Sequence, residues 1–198
     1  MRKALAGILF SILVAAPVVA QTGPSIPSIF TGHDLSGWVV PQGNIWFMAQ
    51  DGILKIKNGP DQTGHILWTR DSYADFVMEF EFKMGAGTVD SGVFVRKDSE
   101  QIQIGISGSL QRDMTASPYI AGKGYPVEAE GVAELLKLDD WNEMTIIAKG
   151  NNYTTWLNGQ HVMTYNSESA GERGPVGIQL HRNREMEIWY RDIRMAGL

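Results

Sequence analysis

Apolar and polar residues alternate along most of this chain with a period of two, the pattern of strands rather than helices. In the run DFVMEFEFKM, residues 75–84, Phe76, Met78, Phe80 and Phe82 fall on one side, and Val77, Glu79, Glu81 and Lys83 on the other. Comparable runs predict strands over 46–49, 53–57, 65–69, 76–84, 92–96, 101–106, 142–149, 153–157, 160–165, 174–181 and 186–195. Turn signals separate them at Asp51-Gly52, Asn58-Gly59-Pro60 and Asn158-Gly159, and the last, inside YTTWLNGQHVMTY, is the clearest hairpin. A brief helical turn fits 132–138, and no internal repeat is visible. Many short strands joined by short turns predict an all-β fold, a two-sheet antiparallel sandwich of the jelly-roll kind.

The same alternation sorts candidate chemistry onto faces. Gln101 and Gln103 interleave with Ile102, Ile104 and Ile106, so two amides share one side of a strand whose other side is core. Arg96 falls on the side of Gly92 and Phe94, Gln179 and His181 alternate with Ile178 and Leu180, and Glu79 and Glu81 oppose the phenylalanines. Four strands thus offer carboxylates, amides, an arginine and a histidine from their polar faces. Should those faces adjoin, they form a groove in which amides and carboxylates bind sugar hydroxyls. Periodicity does not give strand order, so ordinary solvated surface is the competing reading. The long segment 111–134 carries Tyr119, Lys123, Tyr125 and Glu128, which suit either a lid over the groove or a surface excursion packed by its own aromatics.

The N-terminus changes the domain picture. Met1-Arg2-Lys3 and the apolar run from Ala4 to Ala20 read as a signal peptide over 1–20, cut before Gln21, with a Pro/Gly/Ser linker over 21–28 and one domain over 29–198. The apolar run is short for a membrane span and no second one follows. A periplasmic or secreted protein with no stable membrane span is therefore expected. Loss of Arg2 and Lys3 takes 17 basic residues to 15 against 22 acidic, a balance that does not suit nucleic acid. With no cysteine there are no disulfides, thiolate metal sites or cysteine nucleophiles.

Several motifs occur in a telling order: FTGHDLSGW, Trp46 followed by Asp51-Gly52, YADFVMEFEFK, DSGVFVR, DDWNEMTIIAKGN, WLNGQ, and GPVGIQLH followed by YRDIRM. Together, from about Ile29 to Met195, they resemble the 3-keto-disaccharide hydrolase domain family, formerly domain of unknown function 1080. That resemblance implies a concanavalin A-like, laminin-G-like jelly roll acting on 3-keto-glycosides. The family pattern N-S-G-x-x-x-R followed by Y-E-x-Q becomes here Asp90-Ser91-Gly92 with Arg96, and Glu100-Gln101-Ile102-Gln103. Gln101 thus stands where the family usually has a glutamate, and an amide takes no proton.

Two functions follow as expectations. In the first, a base (His181, Glu79 or Glu81) removes the C2 proton of a 3-keto-glycoside. Elimination and hydration then complete the cleavage, while Arg96, Gln101, Gln103, Gln179, Tyr119 and Tyr125 hold the substrate. Arg96, or a divalent cation, calcium or similar, held by Glu and His across strands, stabilises the enolate. In the second, the domain is a non-catalytic carbohydrate-binding jelly roll. A laminin-G-type adhesion module would show no convergence of polar groups.

Overall fold

The computed structural model describes residues 25–198, so the expected signal peptide and the first half of the linker lie outside the described residues. Within them, in chain order, come β1 (Trp38–Val39), β2 (Phe47–Gln50), β3 (Ile53–Lys57), β4 (His65–Tyr73), β5 (Phe76–Gly87), β6 (Asp90–Val95), β7 (Glu100–Gly105) and β8 (Pro118–Ile120). After the single turn α1 (Val132–Leu135) follow β9 (Asn142–Lys149), β10 (Asn152–Leu157), β11 (Gln160–Asn166), β12 (Gly174–Leu180) and β13 (Met186–Gly197). They form an antiparallel sandwich. One sheet has six strands in the order β1-β4-β12-β6-β7-β8, and the other seven in the order β11-β10-β9-β5-β13-β3-β2.

Each strand predicted from alternation is present. Two were not legible: β1, too short to show a period, and β8, which lies inside the segment read as a loop. Pro118, lacking an N–H, opens β8 on an edge of its sheet, where that loss costs no ladder bond. The linker ends earlier than its composition suggested. The Met195 N–H donates to the Pro27 carbonyl at 2.9 Å, Ser28 bridges Arg194, and the Ile29 N–H donates to the Ile193 carbonyl at 3.0 Å, so the chain joins the last strand from residue 27.

The core lies between the sheets and takes the apolar half of each alternation. Phe76, Met78, Phe80 and Phe82 of β5 meet Val93, Val95, Ile102, Ile104 and Ile178 from the facing sheet. At about 25 cal/mol per Å² of apolar surface removed from water, this continuous core is the main stabilising term in a chain with no disulfide.

Charged side chains are buried as well, Glu100 the most completely. Glu100 is fully buried and accepts from Tyr153 Oη and Ser169 Oγ, both at 2.6 Å, with Lys97 Nζ at 3.0 Å. Burial alone raises its carboxyl, but the Ser169, Tyr153 and Lys97 contacts outweigh that and hold it below the usual carboxylate range. The unfolded carboxyl titrates at about 4.3. The Glu100 contribution is therefore complete above that value and is lost as pH falls through the lower folded-state value. Glu100→Gln is expected to cost about 2 kcal/mol at pH 7 in urea unfolding and progressively less toward pH 3. An equal cost at both pH values would show that the charge contributes nothing.

Candidate functional site

The outer face of the six-stranded sheet carries a groove of about 1040 Å³. Register explains its floor. Gln103 of β7 stands opposite Gly92 of β6, and the antiparallel pairing of β12 with β6 brings Gln179 level with the other side of Gly92. The next row runs Trp68, Gly177, Phe94, Gln101 and Tyr119 across β4, β12, β6, β7 and β8. Two glycines shape these rows. A Cβ at Gly177 would lie 2.6 Å from the Trp68 ring, so the indole lies over that bare backbone and its ring comes 5.7 Å from Phe94. A Cβ at Gly92 would lie 3.1 Å from the Gln101 amide, which occupies the space the missing side chain leaves. The floor therefore combines an aromatic half with an amide half.

Polar contacts on the amide half form a chain. Gln101 Nε2 donates to Gln103 Oε1 at 2.9 Å, and Gln103 Nε2 donates to Asp90 Oδ1 at 2.8 Å. Asp90 Oδ2 faces Arg184 Nη2 at 3.4 Å and His181 Nε2 at 3.8 Å. Gln101 Oε1, Gln179 Oε1 and Asp90 Oδ2 are buried and have no hydrogen-bond partner in the protein. The strand carrying Gln179 is fixed from behind, where Ser91 Oγ donates to the Gln179 carbonyl at 2.7 Å.

His181 and Arg184 come from the turn between β12 and β13. Asn58 braces that turn by donating to the His181 carbonyl at 3.1 Å and accepting the Met186 N–H at 3.0 Å. His181 Nδ1 lies 2.7 Å from the Arg182 carbonyl. A carbonyl only accepts, so Nδ1 carries the proton and neutral His181 keeps its lone pair on Nε2. Tyr119 and Tyr125 wall the groove, with ring centroids 5.3 Å apart. Burial, with nearby Asp90 adding to it against a Ser107 hydrogen bond, pushes the Tyr125 phenol up to about 12. It stays a protonated donor at neutral pH.

Six of the nine residues singled out from the sequence meet in this groove: Gln101, Gln103, Gln179, His181, Tyr119 and Tyr125. Three do not. Glu79 and Glu81 belong to β5, in the opposite sheet, with the core between them and the groove. Arg194 pairs with Glu79 at 3.3 Å, and Arg191 with Glu81. Alternation placed them correctly on a polar face, but that face belongs to the other sheet. Arg96 has a backbone φ of 65°, which breaks the alternation after Val95 and turns its side chain away from Gly92 and Phe94. Its buried guanidinium donates to the Gly150 and Gly171 carbonyls, each at 2.8 Å, and lies 3.5 Å from Asp75. It is a structural clamp.

Sequence reasoning passed over Asp90, Arg184 and Trp68. Asp90 lies two residues before Gly92, on the same face, and starting the strand at 90 would have exposed it. Arg184 sits in a turn, where no period applies. The segment 111–134 is not a free lid: β8 inside it is paired to β7, and Glu128 is engaged by Arg112. Among the described residues no group of three or more His, Asp or Glu could hold a metal ion, so the expected divalent cation finds no ligand set of that kind.

Comparison with known proteins follows the fold. A protein of Parabacteroides distasonis with the provisional designation of glycosyl hydrolase superposes with a TM-score of 0.66 at 20% identity, covering 88% of this chain and 100% of its own. The Emp46p carbohydrate recognition domain, in its metal-free form, gives 0.61 at 10% identity over 87% and 96%. The carbohydrate binding module CBM66 of Bacillus subtilis gives 0.50 at 10% over 87% and 100%. At these identities the likeness is one of fold, the concanavalin-like sandwich. No curated protein matches the chain by sequence. The family match is more specific: residues 26–196 match the 3-keto-alpha-glucoside-1,2-lyase-like domain, and the chain belongs to that family.

Proposed function

We propose that this groove binds a glycoside whose sugar ring carries a ketone at C3 and cleaves it by elimination followed by hydration. One observation carries the reading: His181, with its Nε2 lone pair free, and Arg184 meet an amide-lined floor in a single groove. Family membership and the carbohydrate-related neighbours support it.

The chemistry assigns each residue a task. The ketone acidifies the C2 proton, and His181 Nε2 takes it, leaving an enolate whose charge rests on the C3 oxygen. The imidazolium so formed lies beside the Asp90 carboxylate. Arg184 and the Tyr125 hydroxyl donate to the enolate oxygen, the work that Arg96 was expected to do. The enolate then re-forms the ketone, a C1–C2 double bond forms, and the C1–O bond to the aglycone breaks as the His181 imidazolium gives the leaving oxygen the proton it took from C2. Water adds its hydroxyl to C1 and a proton to C2, giving the free 3-keto sugar and the aglycone alcohol. Gln101, Gln103 and Gln179 hold ring hydroxyls, and Trp68 and Phe94 offer apolar surface to the sugar face.

The test is to incubate the protein with 4-nitrophenyl 3-keto-α-glucoside and with the unoxidised glucoside, each with and without chelator. Nitrophenol release from the keto compound alone is expected, and chelator is expected to leave the rate unchanged. Tight binding of both compounds with release from neither would give the site to a non-catalytic carbohydrate-binding module, the reading that the Gln101 amide favours. The convergence of polar groups weighs against an adhesion module.

A further inference from the structure

We propose that Asp90 is a positioning residue that acts through Gln103 to fix Gln101 as a hydrogen-bond acceptor toward the ligand. For its ligand this rests on the sugar-groove reading; the relay itself does not.

An amide can present either its oxygen or its NH₂, and a free glutamine in a groove presents both. Here the choice is made two side chains away. Asp90, 2% exposed, is a carboxylate and can only accept, so Gln103 must turn its NH₂ toward Oδ1, as found at 2.8 Å. That leaves Gln103 Oε1 facing Gln101, which must answer with its own NH₂, as found at 2.9 Å. One of the two Gln101 N–H groups is thus committed, and its Oε1 is left buried and unpartnered in a side chain that lines the groove. A neutral residue at 90 would serve the chain in either direction and leave residue 101 undecided. The charge therefore sets the orientation of both amides, and a charge-assisted bond holds that choice more strongly than a neutral one.

The consequence is a pair of orphan amide acceptors, Gln101 Oε1 over Gly92 and Gln179 Oε1 on β12, beside the Asp90 Oδ2 that Arg184 faces. Such a floor asks its ligand for hydrogens. Sugar hydroxyls supply them, whereas a carboxylate, a phosphate or a fluorine does not. Each buried acceptor left without a donor is costly, so a ligand lacking the matching hydroxyl should bind about tenfold or more weakly.

Two measurements test this. Without ligand, NMR exchange of the side-chain amide protons should show Gln101 and Gln103 protected in the wild type. In Asp90→Asn both should exchange about tenfold faster, while backbone amides of β6 and β7 keep their rates. Gln103→Met cuts the relay without touching the charge and should release Gln101 alone. Unchanged Gln101 exchange in both variants overturns the relay.

With ligand, calorimetry against methyl α-D-glucopyranoside and its monodeoxyfluoro derivatives should show at least one position where fluorine weakens wild-type binding about tenfold. Asp90→Asn should narrow that ratio to about threefold or less. Asp90→Asn/Gln101→Glu should restore it, because a carboxylate at 101 again only accepts. Equal binding of every fluoro derivative by the wild type overturns the acceptor assignment. Binding of no probe, with amide protection as expected, supports the relay and overturns the floor as a binding site for unoxidised glucoside hydroxyls.

Discussion

Replacing His181 with Ala is expected to lower turnover of a 3-keto-glucoside by at least about 100-fold, the scale of general-base catalysis, with the thermal midpoint nearly unchanged. The side chain is 35% exposed and its ring makes one hydrogen bond, to the adjacent Arg182 carbonyl, so removing it leaves no core cavity. The turn is held instead by Asn58 through the His181 backbone, which alanine keeps. The loss should fall on kcat, because a base acts on the reacting proton more than on ground-state binding. Glu79→Gln and Glu81→Gln provide the contrast. Both lie on the far sheet in pairs with Arg194 and Arg191, and both should leave kcat/KM within about twofold of the wild type, since surface pairs of this kind are worth little. A Glu79 or Glu81 variant that lost as much as His181→Ala would reject the groove as the reaction centre.

That contrast also marks how much the chain disclosed by itself. Period-two alternation in 75–84 gave the face of Glu79 and Glu81 without error, because burial of Phe76, Met78, Phe80 and Phe82 leaves the alternate residues only the outside. What alternation does not carry is which of two sheets a strand joins. β5 pairs with β9 and β13, far along the sequence in both cases, and those long-range pairings leave no local trace. Gln101, Gln103, Gln179 and His181 were read from the same rule and do adjoin, since β6, β7 and β12 happen to be neighbours.

Arg96 failed for a different reason. A positive φ at a non-glycine residue leaves no periodic trace in the sequence, and the two carbonyls that hold its guanidinium come from distant loops. The Gln101 substitution was visible in sequence as a lost carboxylate. Asp90, at the far end of the same hydrogen-bond chain, shows in sequence only as the residue before Ser91-Gly92. The family pattern has asparagine at 90 and glutamate at 101, and here the charge stands at the other end of the chain through Gln103. Only the contacts between side chains join the two departures.

Arg184→Ala should cost about 100- to 1000-fold in kcat on the 3-keto substrate, the range for removing a charged donor from a developing oxyanion. The argument is positional. Arg184 Nη2 stands 3.4 Å from Asp90 Oδ2, beside the orphan acceptors and in the groove with His181 and Tyr125. Its alanine variant leaves Asp90 with its Gln103 bond and so should keep the relay. Gly108 offers a second probe that changes no charge: a Cβ there would lie 2.9 Å from Arg184 Nη2 and 3.1 Å from Asp90 Oδ2. Gly108→Ala should therefore displace the guanidinium and reproduce part of the loss. Arg96→Ala should do the reverse. Stripping a buried guanidinium from the Gly150 and Gly171 carbonyls is expected to cost about 3 kcal/mol of stability, while the molecules that remain folded keep their kcat. If Arg96→Ala abolished kcat in folded protein and Arg184→Ala did not, the enolate-stabilising cation would be Arg96 after all, and the site would have to be drawn around the other end of β6.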